Sequence, residues 1–131
     1  RIALAIKAVS AASDDAAPSM VFDEIDTGIG GQTARMVAES IALVADKKQV
    51  LCITHLPQIA CMADVHLYIH KETKNGRTMT FIDRLSEVSR VNEIARMASG
   101  NDITAAALDN AREMVDNAKI KKDMLLRKKE K

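Results

Sequence analysis

Residues 20–26 read Met-Val-Phe-Asp-Glu-Ile-Asp, an apolar strand that ends in three acids, Asp23, Glu24 and Asp26. A second apolar stretch, Val50-Leu51-Cys52-Ile53-Thr54, ends in His55. Carboxylates at the end of one buried strand and a histidine at the end of the next suit hydrolysis of a magnesium-bound nucleotide. In a parallel α/β sheet both strand ends reach the carboxyl edge, where such folds bind ligands. Asp23 is placed to hold Mg²⁺, directly or through a water, because this hard ion takes one or two carboxylates and completes its shell with phosphate. Glu24, on the other face of the strand by alternation, is placed to orient or deprotonate an attacking water. His55 is placed to hydrogen-bond a terminal phosphate. Three crowded carboxylates repel one another unless a cation or hydrogen-bond donors compensate, so this strand end is the strongest functional signal in the chain. By themselves these residues amount to half of a Mg-nucleotide site.

The other candidates are weaker. Gly28-Ile29-Gly30-Gly31 is not a phosphate loop, since that motif needs Gly-Lys followed by Ser or Thr and no Gly-Lys occurs in the chain. It also misses the dinucleotide fingerprint, because Thr33 stands where the last glycine belongs. It reads as a turn that lets backbone approach a neighbouring surface, with amides that favour an anion where a helix begins. His66 and His70 flank Tyr68 on one strand face and have no third ligand, so they read as surface histidines. Cys52 and Cys61 form no Cys-x-x-Cys pair and read as buried small hydrophobes in a reducing compartment.

The elements that position these residues follow from pattern. Residues 1–12 are apolar almost all round and predict a buried helix, followed by a polar loop that ends at Pro18 and Ser19. Strands are predicted over 20–25 and 49–54, with a helix over 32–46 that turns Met36, Val37, Ile41 and Val44 inward. Pro57 suits the first turn of a short helix through Met62. Residues 65–83 predict an antiparallel hairpin around Asn75-Gly76, with Val65, Leu67 and Ile69 on the more buried face. A helix over 89–98 is stopped by Gly100. A longer one, capped by Asn101 or Asp102, runs to about Lys122 on a stripe of Ile103, Ala107, Ala111, Met114 and Ala118. Strands alternating with helices predict a mostly parallel α/β sheet carrying a C-terminal hairpin and two closing helices.

At 131 residues the chain is one domain's worth. Its three aromatic residues, Phe22, Tyr68 and Phe81, leave the core to aliphatic side chains. The formal net charge of +1 is uneven, because residues 119–131 hold seven basic and two acidic side chains. That basic end reads as a solvated helix terminus, with non-specific contact to nucleic acid as the rival. No signal peptide and no membrane-length apolar run occurs, so a cytoplasmic protein without a membrane partner is expected. The chain opens on Arg1-Ile2-Ala3-Leu4-Ala5-Ile6 without a methionine and reads as a piece of a longer protein.

Three stretches carry a family resemblance: Arg1 to Lys7; Val21-Phe22-Asp23-Glu24-Ile25-Asp26-Thr27-Gly28-Ile29-Gly30-Gly31; and Ile53-Thr54-His55-Leu56-Pro57-Gln58-Ile59-Ala60. They resemble the C-terminal part of the RecN family of bacterial DNA repair proteins, an SMC-like group of ABC-type ATPases. The resemblance implies an incomplete α/β unit, the C-terminal lobe of an ABC/SMC-type P-loop ATPase head. It implies ATP and Mg²⁺ as ligands, with Asp23 as the Walker B aspartate, Glu24 as the catalytic glutamate and His55 as the switch histidine. Asp26 matches the extra acid of SMC-like heads, and Gly28, Gly30 and Gly31 match a loop that crosses the head dimer and approaches nucleotide. Most such heads carry an aspartate where Gly30 stands here, so only backbone contacts carry over at that position. Arg1 falls just past the signature motif.

The implied partners are the protein's own N-terminal lobe, a second head in a head-to-head homodimer, and DNA during double-strand-break repair and recombination. In that fold the phosphate-loop strand lies between strands 50–54 and 65–70. This chain without it is expected to leave strand edges open and to turn over no ATP alone. The competing readings are a non-catalytic α/β interaction module and the head of another SMC or ABC-type ATPase.

Overall fold

The computed structural model describes residues 19–127. The helix expected over 1–12, the loop that follows it as far as Pro18, and residues 128–131 of the basic end lie outside the described residues.

Strand β1 (Ser19–Asp23) pairs in parallel with β2 (Gln49–Ile53), Val21 opposite Leu51 and Asp23 opposite Ile53. Helix α1 (Gly31–Ala45) connects them and covers one face. On that face Met20, Phe22, Val50 and Cys52 pack against Val37, Ala38, Val44 and Ile59. The inward row of α1 is Ala34, Val37, Ala38, Ala42 and Val44. Met36 is not part of it and is 58% exposed. At 100° per residue it lies opposite the buried Ala34–Ala38–Ala42 ridge.

Helix α2 (Pro57–Ala60) has proline in its first turn. The carbonyls just past its end are met by a side chain from a distant element: Nη2 of Arg90 donates to the carbonyls of Cys61 and Ala63, each at 2.7 Å. A guanidinium at a helix C-terminus satisfies orphan carbonyls and opposes the negative end of the helix dipole.

Strands β3 (Leu67–Lys74) and β4 (Arg77–Arg84) form the expected hairpin. Asn75 and Gly76 sit at φ 52° and 75°, the two positive angles of a type I′ turn. The buried side is the reverse of the expected one. Val65, Leu67, Ile69 and, across the strands, Ile82 are exposed. The half-buried side carries Tyr68, His70 and Phe81, whose rings stack at 5.3 and 5.6 Å between centroids. His66 and His70 are thus half-buried rather than surface residues. Among the described residues β3 and β4 join no other strand, so the expected sheet takes the form of two separate pairs.

Helix α3 (Glu87–Ser99) is capped by Ser86, whose hydroxyl accepts from the Ser89 amide, and ends at Gly100, φ 80°. Helix α4 (Ala105–Arg127) is capped by Thr104 rather than by Asn101 or Asp102: the Thr104 hydroxyl accepts from the Ala107 amide and its carbonyl from that of Leu108. The second core joins α2, α3 and α4 through Ala60, Cys61, Ile94, Ala95, Ala111, Val115 and Ala118. Ile103, expected on this stripe, precedes the helix and is exposed. The basic residues near the end of α4 reach outward to different neighbours, Lys119 to Glu87, Lys121 to Glu39 and Lys122 to Asp64. No helix of the described residues is long and apolar enough to cross a membrane.

Candidate functional site

The parallel register brings the ends of β1 and β2 to one edge, with Asp23 beside Ile53 and Thr54 and His55 following directly. Asp23 and Glu24 are both exposed there, and among the described residues no hydrogen bond or ion pair engages either carboxylate. Glu24 does not continue the alternation of β1. The strand stops at Asp23, and Glu24 takes a left-handed backbone, φ 48°. That conformation is uncommon for a non-glycine residue and turns the chain away from the strand. The Glu24 carbonyl is held by the Thr27 amide at 3.3 Å and the Thr27 hydroxyl at 3.0 Å. Ile25 and Ile29 anchor the turn by packing against the β1–β2 core.

Asp26 points the other way. It is 1% exposed, the one charged side chain buried among the described residues. Its Oδ2 accepts from the Thr54 hydroxyl at 2.5 Å and the His55 amide at 2.8 Å, and lies 3.1 Å from Nδ1 of His55. Its Oδ1 is buried and has no hydrogen-bond partner among the described residues. Burial pushes the Asp26 carboxyl up, but the bonds from Thr54 and the His55 amide outweigh it and hold its pKa below the usual carboxylate value. Burial and the nearby Asp26 charge push the Cys52 thiol up to about 11, which suits a packed side chain rather than a nucleophile. Most of the His55 ring is exposed.

The glycine turn lies between this edge and α1. Gly28 and Gly31 adopt φ 74° and 52°, and Gly30 is extended and caps α1 without a side chain. The loop therefore presents backbone amides where α1 begins.

The strand register puts Asp23 and Glu24 at the same edge as Asp26 and His55, and Asp26 and His55 are in contact there; the glycine turn follows Asp26 in the chain. Asp26, expected among the nucleotide contacts, has one oxygen committed to Thr54 and His55. Thr54 was not singled out in the sequence, where it reads as the last residue of a strand. The signal for it is indirect: a hydroxyl next to the candidate histidine, level with a buried acid from the preceding strand. Among the described residues no group of three or more His, Cys, Asp or Glu makes a self-contained metal site. Two unengaged carboxylates at one strand end fit Mg²⁺, which keeps waters and takes its remaining ligands from phosphate.

The paired strands, flanking helices and acid–histidine edge define the class. A solved chain from structural work on the ATP-driven dimerization and DNA-stimulated activation of SMC ATPases shares the fold with a TM-score of 0.54 and 22% identity, over 74% of this chain and 58% of that one. This chain is accordingly an α/β unit with the fold of part of an SMC-type ATPase head. In sequence it is RecN-like. It is 48% identical over 118 residues to the DNA repair protein RecN of Bacillus subtilis and 46% identical over 115 residues to that of Deinococcus radiodurans. To RecN of Haemophilus influenzae it is 41% identical over 116 residues. These matches take in 88–90% of this chain but only 20–21% of each relative, so the chain spans about a fifth of the proteins it resembles. No protein-family model matches it.

Proposed function

We propose that this chain is the C-terminal lobe of an ATP-hydrolysing head in a RecN-type DNA repair protein, acting in double-strand-break repair and recombination in the cytoplasm. The observation that carries the reading is the pair of unengaged carboxylates, Asp23 and Glu24, on the same edge as His55, within a sequence that is RecN-like over nearly its whole length. Asp23 holds Mg²⁺, directly or through water. Bound with nucleotide, the ion neutralises charge on the phosphates. Glu24, lifted off the strand by its left-handed turn, orients the attacking water and takes its proton. His55 hydrogen-bonds the terminal phosphate through the ring nitrogen that faces solvent. Gly28, Gly30 and Gly31 offer backbone contacts to nucleotide or to an opposing head. The phosphate loop comes from the protein's own N-terminal lobe, and two heads close face to face around ATP while the complete protein engages DNA.

The chain alone turns over no ATP under this reading, because the β- and γ-phosphates lack their cradle. The test is Mg²⁺-dependent ATP turnover of the chain mixed with the N-terminal lobe of the same protein. Turnover in the mixture only, reduced by roughly 10²–10⁴-fold in Glu24→Gln with nucleotide binding retained, is the expected result. A stable, ATP-binding complex with no turnover, or equal turnover in Glu24→Gln, would shift the assignment to a non-catalytic interaction module.

A further inference from the structure

The Asp26 side chain crosses from the turn after β1 to the end of β2 and meets His55 twice, at its amide and at its ring. An ionised carboxylate has no proton to give, so an oxygen 3.1 Å from Nδ1 favours the form of the ring in which that nitrogen carries the hydrogen. We infer that Asp26 is the positioning residue for His55: it selects the Nδ1–H form of the ring, fixes its direction through Thr54 and the His55 amide, and turns Nε2 outward. The role given to Nε2 rests on the function proposed above. The Asp26–His55 tie does not.

Two features make the tie more than a chance contact. Burying a carboxylate is costly unless donors compensate, and here both donors, the Thr54 hydroxyl and the His55 amide, come from the segment that carries the histidine, whose ring lies 3.1 Å away. Thr54 is itself fixed, because its oxygen accepts from the Leu56 amide at 3.0 Å while its hydroxyl donates to Asp26. The turn that bears Glu24 and the loop that bears His55 are therefore joined through one buried oxygen. With Nδ1–H held by Asp26, a neutral His55 ring presents only a lone pair at Nε2. It donates to phosphate from Nε2 only when the ring carries both protons.

The ¹⁵N-labelled chain tests this directly. Two-bond ¹H–¹⁵N correlation at a pH where the ring is neutral reports which nitrogen of His55 is protonated. The Nδ1–H form is expected to predominate in the native sequence and in Thr54→Val, and to give way in Asp26→Ala to the Nε2–H form that free imidazole side chains prefer. Native His55 in the Nε2–H form overturns the inference, whether or not Asp26→Ala folds. So does Asp26→Ala that folds and leaves the Nδ1–H form unchanged. In the reconstituted ATPase mixture, Asp26→Ala should lower turnover by about ten- to a hundredfold, the range for a lost orienting hydrogen bond, and Asp26→Asn, which keeps an acceptor, should recover part of it. Turnover missing from the native mixture counts against the ATPase reading and leaves the tautomer result standing. The wrong tautomer with normal turnover counts against Asp26 alone.

Discussion

A buried carboxylate held below its usual pKa makes stability depend on pH, and Asp26 is such a group. Its folded pKa lies under the ordinary value of 3.8 because hydrogen bonds outweigh burial. The unfolded chain then binds the proton more readily, so the contribution of Asp26 is fully present above the ordinary value. It is lost as pH falls through the folded one. Asp26→Asn removes that titration. Urea midpoints measured between about pH 6 and about pH 3 should therefore converge, the native chain losing its advantage over Asp26→Asn as acid is added. Midpoints that run parallel across the range would mean that folding does not lower the Asp26 pKa. At this scale the sequence told more about charge than about direction. Three acids in four residues announce a site, yet nothing in their spacing says that Glu24 leaves the strand or that Asp26 turns inward.

At the scale of elements the local signals read well where one residue decides. Asn75-Gly76 forms the turn it predicts, and Gly100 stops α3. Misreadings arose where a neighbour decides. Thr104 takes the cap because α4 begins later than the polar pair Asn101-Asp102 implies. Met36 is apolar yet faces outward, since alanines hold the inner ridge of α1. The hairpin buries its ring-bearing face through stacking, while its aliphatic face meets nothing that local sequence can supply. The closure of α2 by Arg90 was illegible, because donor and carbonyls lie almost thirty residues apart. Arg90→Met keeps the aliphatic stem and removes the fork. It should cost on the order of 1–3 kcal/mol in urea unfolding, the penalty for carbonyls left unsatisfied. An unchanged midpoint would assign those carbonyls to water.

At the scale of the whole molecule, the two strand pairs each present an aliphatic face that stands exposed among the described residues. Val21, Leu51 and Ile53 line one, and Val65, Leu67, Ile69 and Ile82 the other. Contiguous exposed apolar surface marks a site of association, and unpaired strand edges add a template for it. The break between β2 and β3 falls where the family resemblance puts the phosphate-loop strand, which suits a sheet completed by another lobe or another copy. Leu51→Lys and Ile69→Lys should each weaken self-association in light scattering, or binding to the N-terminal lobe, without lowering the melting temperature. A native chain that stays monomeric and melts cooperatively at high temperature would show that the two pairs need no completion.

The left-handed backbone at Glu24 has a consequence for mutation itself. Holding a side chain in that conformation costs roughly 1–2 kcal/mol, and glycine relieves it. Glutamate and glycine codons differ by a single nucleotide. If Glu24 has the proposed role, pressure for folding alone and pressure for water activation pull position 24 in opposite directions. A lineage relieved of the second would slide to glycine by the shortest possible step, becoming sturdier and silent together.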